Sequence, residues 1–442
     1  ELMVNGLRVL IVDGHVGPMM EASQFLRDHL HAQVDHIWFY SYGKYAAGHP
    51  RETLLPEEAR MELQQLVRQC TYTKDFGACH AAVRTPRRLF FTPSTARAIE
   101  ASLDLVLCQF PGWQCALFNN LHVPIAVRFT HRFQHHLTRL PPGNSEKLWT
   151  ALLAGWMQTQ RAAIFTDNTY DEQYLRFHIP NETSIAWPAV GARVTRPVGG
   201  RSTTPQWCFC CWRYPDYPKP AQRLIDRLRN KTRERGGPDI LHLDEAIDAT
   251  RRDAGTLAAA TRCTGFLVLP HSVHSYAWVE AYAAGFPLVM PSPKLLTAWH
   301  SRHSLISHRC PSNLAFRATR AKSPGPDTSN LRWMEHWLSY IEVYAWPHVT
   351  ILEQERDLPS ALAKTRPAPR PEQHAHMHAL AAAAAPRVHE ALQRLVSQRQ
   401  SASPPASRPE AGDARLSCEG EPRGPRLGRL RLRAGKSGRA SR

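Results

Sequence analysis

The chain opens on a strand pattern. Leu7 to Val12 is an apolar run rich in β-branched residues and ended by Asp13-Gly14, the signature of a buried parallel strand. From Pro18 to Leu30, Met19, Ala22, Phe25, Leu26 and Leu30 recur at helical spacing. Val34 to Tyr42 predicts a second strand, which completes a βαβ unit. A polar stretch to about Pro93 reads as irregular. The alternation then resumes with strands Leu103–Cys108, Pro124–Phe129, Ala163–Thr166 and Ser184–Ala189 and with helices Ser145–Arg161 and Tyr170–His178.

Val190 to Pro205 is rich in Gly, Arg, Thr and Pro without periodicity and reads as a linker. Beyond it the pattern restarts. Strands Gln206–Trp212, Asp239–Leu243, Phe266–Pro270 and Phe286–Pro291 alternate with helices Lys219–Arg235, Asp248–Arg262 and Tyr276–Ala284. After Pro293 the pattern is helical over Lys294–His303, Leu331–Trp346 and His374–Gln400. The expected fold is α/β, with two doubly wound Rossmann-like domains facing a central cleft. Their bounds are 1–195 and 206–350, followed by C-terminal helices 351–400 and a disordered basic tail 401–442.

Composition narrows the class. Of 442 residues 43% are apolar, with 12 Trp, 15 Phe and 12 Tyr, which excludes a collagen-like or wholly disordered chain. No run approaches the roughly 20 apolar residues of a spanning helix. The chain starts at Glu1, so a leader or anchor stays open. Of the net +17, the tail from Ser401 carries +6: nine Arg and Lys436 against four acidic residues. No basic stripe with interleaved aromatics appears, so no nucleic-acid partner is expected. A solvated basic surface, a polyanion partner or an anionic substrate remain.

The 10 Cys show no paired CxxC arrangement, which excludes a zinc ribbon. Cys208, Cys210 and Cys211 read as small hydrophobes of a buried strand. Cys70 and Cys79 flank a loop and could pair in an oxidising compartment. Two sequons, Asn181-Glu182-Thr183 and Asn230-Lys231-Thr232, agree with a Golgi or endoplasmic-reticulum lumen, which is favoured over the cytoplasm. The run His374-Ala375-His376-Met377-His378 reads as an adventitious metal trap, and no metal is expected at the site.

The most informative segment is Pro270 to Pro291. A buried strand ends at Pro270, a polar loop follows, and a helix carries Glu280 in its first turns. Gly285 stands where a helix takes a left-handed C′ residue, and Pro287 precedes the next strand. In a parallel α/β domain this loop faces the ligand crevice, and the helix start offers N–H groups to a phosphate. A carboxylate at Glu280 can accept two hydrogen bonds from the vicinal diol of a ribose. The alternative is an ordinary αβ turn with a surface Glu.

The pattern Glu280-Ala-x-Ala-x-Gly285-x-Pro287 between two buried strands resembles the donor-site signature of GT-B glycosyltransferases. The likeness extends in architecture over about residues 7 to 350. It implies transfer of a sugar from a nucleotide donor, UDP- or GDP-linked, to a hydroxyl acceptor without an obligatory metal or other cofactor. Ser272, His274, Ser275 and Tyr276 join Glu280 at the implied donor site. Retaining members often carry a second Glu eight residues earlier, where this chain has Ser272. Many members also place an Arg and a Lys after the first strand of this domain; here Arg213 and Lys219 would neutralise the departing diphosphate. A late helix crosses back to the first domain in such enzymes, and Leu331–Trp346 is the candidate.

In the first half, Gly14 and Gly17 flank His15 in the first strand-to-helix loop, where glycines allow close backbone approach to a ligand. Many inverting members place a catalytic His there. His15 could take the acceptor's proton with Asp13 orienting it, or it could be a structural loop residue. His131 and Arg132, after another strand, are placed to bind acceptor or phosphate. Asp167-Asn168-Thr169-Tyr170-Asp171 is polar too, but an Asn there is a routine helix N-cap, and the cap is preferred. Three rivals remain: a non-catalytic polyanion binder, a catalytically degenerate GT-B domain, and a sugar-nucleotide epimerase, which needs paired carboxylates in the cleft.

Overall fold

Two parallel sheets, each wound with helices, build the fold in this computed structural model. It describes residues 6–38, 52–72, 77–86, 88–130, 145–180, 183–191, 194, 206–210, 217–242, 245, 263–270, 274–306, 331–365 and 370–401. Both sheets belong to one compact unit that runs to Ser401.

The first sheet has the order β2-β1-β3-β4-β5-β6. Its strands are β1 (Arg8–Asp13), β2 (Gln33–Trp38), β3 (Leu105–Cys108), β4 (Ile125–Phe129), β5 (Ala162–Thr166) and β6 (Ile185–Ala186). The four central strands are almost wholly buried apolar runs, as expected of parallel strands covered on both faces. Helices α1 (Val16–Leu30), α2 (Glu57–Tyr72), α3 (Gly77–Arg84), α4 (Pro93–Ser102), α5 (Ser145–Gln158) and α6 (Thr169–His178) surround it. The stretch read as irregular thus holds two helices. The buried stripe of α2 is thin, Ala59, Leu63 and Val67, and Arg60 is buried with it on Asp35.

The second sheet runs β11-β10-β9-β7-β8. It comprises β7 (Trp207–Cys210), β8 (Ile240–Leu241), β9 (Gly265–Val268), β10 (Leu288–Pro291) and β11 (Val349–Leu352), with helices α7 (Lys219–Glu234), α8 (Tyr276–Ala283), α9 (Pro293–His303), α10 (Leu331–Leu338) and α11 (Leu358–Lys364). The pattern after Pro293 is mainly helical and predicts no strand at β11; β11 nonetheless pairs with β10 from Leu288↔Val349 to Pro291↔Leu352, carrying the sheet past residue 350. The single helix expected over Leu331–Trp346 is instead α10 followed by a 3₁₀ turn, Glu342–Ala345.

The last helix, α12 (Pro371–Ser401), is the long element that spans both halves. Near its start His374 bonds the carbonyl of Ala283, while near its end Arg399 bonds the carbonyls of Glu100 and Leu103. These last bonds place a cation at the carbonyl end of α4, where the helix dipole favours it. The crossing assigned to Leu331–Trp346 therefore belongs chiefly to α12, although Trp337 of α10 also packs edge-on against Tyr170 and Phe177.

Cys208 and Cys210 are not free apolar side chains: both are disulfide-bonded, Cys208 to Cys263. Cys108 is bonded to Cys115. The Cys70 and Cys79 side chains lie outside the described residues, as do Asn181, the helix expected over Asp248–Arg262 and the tail from 402. The second sequon falls inside α7, where the Thr232 hydroxyl is buried and donated to Leu228 O. Among the described residues no helix is long and apolar enough to cross a membrane.

Candidate active site

Each sheet has one place where the winding reverses, and ligands of doubly wound folds bind outside the strand ends there. In the first sheet that place lies between β1 and β3, which are direct neighbours. The loops leaving them meet: Gly14 N–H donates to Phe110 O at 2.6 Å, and the His15 ring stands edge-on to Phe110. In the second sheet the reversal lies between β7 and β9. The loop leaving β9 ends in His274 and Ser275 and opens α8. The two sets of loops touch. A Cβ built on Gly17 would lie 3.7 Å from Cβ of Tyr276. The residues after β1 therefore face the head of the helix that carries Glu280.

His15 is exposed in this recess and caps α1, its Nδ1 accepting the Gly17 N–H at 3.2 Å. A Cβ on Gly17 would stand 3.3 Å from that nitrogen, a tight contact that would press on the ring. Surrounding protein lowers the imidazole's pKa from 6.5 to about 4, so the ring is neutral at pH 7. With Nδ1 accepting, the ring proton sits on Nε2. Asp13 does not orient this ring. Its Oδ1 instead accepts the His15 backbone N–H at 2.6 Å, an Asx-type turn. The expectation that Asp13 aligns a catalytic imidazole is corrected on that ground. Gly14 and Gly17, expected to let the backbone approach a ligand closely, spend their own N–H groups within the protein.

Beneath the loop lies a buried charge cluster. Arg128, wholly buried at the end of β4, donates Nε to Trp187 O and Nη1 to Gln109 Oε1, and its guanidinium lies over the Trp187 ring. Glu21 of α1 stands 3.8 Å from Nη2 and accepts the N–H groups of Val190 and Gly191. Burial opposes the Arg128 charge, but Tyr276, Asp167, Glu21 and Asp13 outweigh it and raise its pKa. Burial holds the Asp13 carboxyl well above the usual range, with the His15 N–H and Arg128 pulling the other way.

The cluster continues across the two halves. Asp167, at the end of β5, accepts the Tyr276 hydroxyl at 3.0 Å and the Asn168 amide at 2.6 Å. His274 lies with Nε2 3.5 Å from Asp167 and Nδ1 2.8 Å from Glu342, which also accepts the indole N–H of Trp278. Burial disfavours the imidazolium, yet the two carboxylates prevail and raise its pKa to about 9. A charged His274 thus bridges the end of β5 and the 3₁₀ turn before β11.

These contacts redistribute the residues expected at a donor site. His274 and Tyr276 are buried and bind the first half, so neither presents its polar atoms to an open site. Ser275 is partly exposed and caps α8 without a side-chain bond. Glu280 is half-buried in α8, its Cα facing Gly191, whose φ is +65°. Gly285 has the left-handed φ expected of a C′ residue, +81°, and a second reason to be glycine: the Arg370 backbone would stand 3.1 Å from a Cβ there. Lys219 opens α7 and reaches Gln222, while Tyr217 just before it anchors this helix start to Leu269 O at the end of β9. Arg213, Ser272, His131 and Arg132 lie outside the described residues.

Asn168 is the N-cap expected of it, accepting the Asp171 N–H. Arg128, Glu21 and Glu342 escaped the sequence analysis, and Asp167 entered it only within a polar run preferred as a helix cap. Only the apolar-strand context of Arg128, a charge inside Ile125–Phe129, signalled that it had to be paired.

No family model and no curated protein matches the sequence. Among solved structures that align along most of the chain are the spinosyn forosaminyltransferase SpnP, at 12% identity over 88% of this chain and 99% of its own, TM-score 0.39. The glycosyltransferase SnogD from Streptomyces nogalater aligns at 13% identity over 89% and 98%, TM-score 0.38. The calicheamicin glycosyltransferase CalG4 aligns at 12% over 90% and 100%, TM-score 0.37. Superposition this loose transfers no residue role to this chain.

Proposed function

We propose that the chain is a GT-B-type glycosyltransferase that takes a UDP- or GDP-activated sugar in the crevice between its two sheets and passes the sugar to a hydroxyl acceptor. One observation carries this: the loops leaving the reversal points of both sheets meet at the head of the helix that bears Glu280. Glu280 grips the ribose diol, and the head of α8 at Ser275 receives the diphosphate. Lys219 and Arg213 neutralise the charge that builds on the leaving diphosphate, so no metal is required. His131 and Arg132 take the acceptor side. His15 donates from Nε2 to a substrate oxygen. To act as the base at Nε2, its ring must first release Gly17 and exchange tautomers.

That last feature supports a second reading, a sugar-nucleotide binder that does not transfer. The disulfides Cys108–Cys115 and Cys208–Cys263 support a lumenal, oxidising compartment for either. A thermal-shift panel of nucleoside diphosphates and sugar nucleotides tests both, since a bound ligand raises the melting temperature. Stabilisation by one nucleotide class, with sugar found on an acceptor, supports transfer. Stabilisation without transfer leaves the binder, and no shift with any nucleotide removes both.

A further inference from the structure

Two histidines on α12 are set as a chelate outside the crevice. His374 and His378 are one helical turn apart, with their Nε2 atoms 2.9 Å from each other. Nδ1 of His374 lies 2.9 Å from the carbonyl oxygen of Ala283. A carbonyl only accepts, so this nitrogen carries the ring proton, and neutral His374 presents a lone pair at Nε2. The proton between the facing Nε2 atoms then belongs to His378. A ring N–H tied to a backbone carbonyl is how proteins fix the orientation of a metal-ligating imidazole.

Ala283 is the last residue of α8, so His374 meets the negative end of that helix dipole. His378 is exposed, so an ion can reach it. Two nitrogens 2.9 Å apart, each about 2.05 Å from a metal, subtend about 90°. That is the cis angle of tetragonal coordination, which Cu²⁺ and Ni²⁺ favour and tetrahedral Zn²⁺ does not.

We propose that His374 and His378 form a binding site for a tetragonal divalent metal ion, Cu²⁺ or Ni²⁺ in preference to Zn²⁺. Among the described residues no group of three or more His, Cys, Asp or Glu is arranged for a metal, so water fills the remaining positions. The metal–Nε2 bond replaces the N–H of His378, whose proton moves to its Nδ1. The site clamps one turn of the helix that spans both halves and takes no part in sugar transfer.

The test is a titration of the full chain, carrying no histidine tag, with CuCl₂, NiCl₂ and ZnCl₂. Visible absorbance and melting temperature are read for the wild type, His374→Gln, His378→Gln and His376→Gln. The expected result is a saturable equivalent that raises the melting temperature, is weakened about tenfold or more in His374→Gln and His378→Gln, and is kept in His376→Gln. The His378 side chain is exposed, so its variant should melt like the wild type without metal. Equal binding by the wild type and a His374→Gln/His378→Gln double variant overturns the proposal, as does a site that prefers Zn²⁺.

Discussion

Nε2 of His274 lies 3.5 Å from Oδ2 of Asp167, with both side chains wholly buried, and the contact joins the second sheet's half of the molecule to the first. Glu342 holds the other ring nitrogen, so the imidazolium is enclosed by two carboxylates. Because the folded pKa is raised from 6.5 to about 9, the stability this group contributes is fully present below pH 6.5 and is lost as pH rises to about 9. The melting temperature should fall across that window in the wild type, and the fall should be smaller in His274→Gln. At neutral pH the variant should lose about 3–5 kcal/mol, because buried Asp167 and part-buried Glu342 lose the cation between them. Urea unfolding at several pH values measures both effects.

Gly191 should not tolerate a side chain. Its φ is +65°, and a Cβ would stand 2.8 Å from that of Ala283 and 3.4 Å from the Glu280 backbone. Gly191→Ala should cost about 1–3 kcal/mol through strain and overpacking. It should also weaken nucleotide binding by pushing α8, whereas Gly155→Ala, where a Cβ meets nothing within 4 Å, should do neither. Paired melting and binding curves decide it.

The disulfides Cys208–Cys263 and Cys108–Cys115 should contribute unequally. Cys208–Cys263 closes a separation of 55 residues and Cys108–Cys115 one of 7. Loop-closure entropy assigns them about 4 and about 2.5 kcal/mol. Alanine double variants at each pair, compared by chemical denaturation under non-reducing conditions, should show the larger loss for the long loop. Equal losses would mean that strain or residual unfolded-state structure dominates.

Where the chain alternates long buried strands with helices, its architecture was legible from hydrophobic periodicity, and Gly285 announced its left-handed turn. The strand Val349–Leu352 was not, because it is only half-buried and follows Pro347-His348. Helix α2 hid behind its polar composition. Cys208 looked like a strand hydrophobe since its partner is distant in sequence and arrives only when β7 and β9 align. In the site, the residues on the strand-to-helix loops could be guessed from their positions. The Asp167–His274–Glu342 bridge could not: each residue has an ordinary local reading, and only tertiary folding brings the three together.

The claim at the centre of the account is that Glu280 holds a nucleotide sugar between the two sheets. Calorimetric titration of the nucleoside diphosphate selected by the stability panel into the wild type and Glu280→Gln measures it directly. A wild-type isotherm with one site, weakened about tenfold or more in the variant by the loss of a charge-assisted diol contact, is the predicted result. Identical affinities for the two proteins would contradict it.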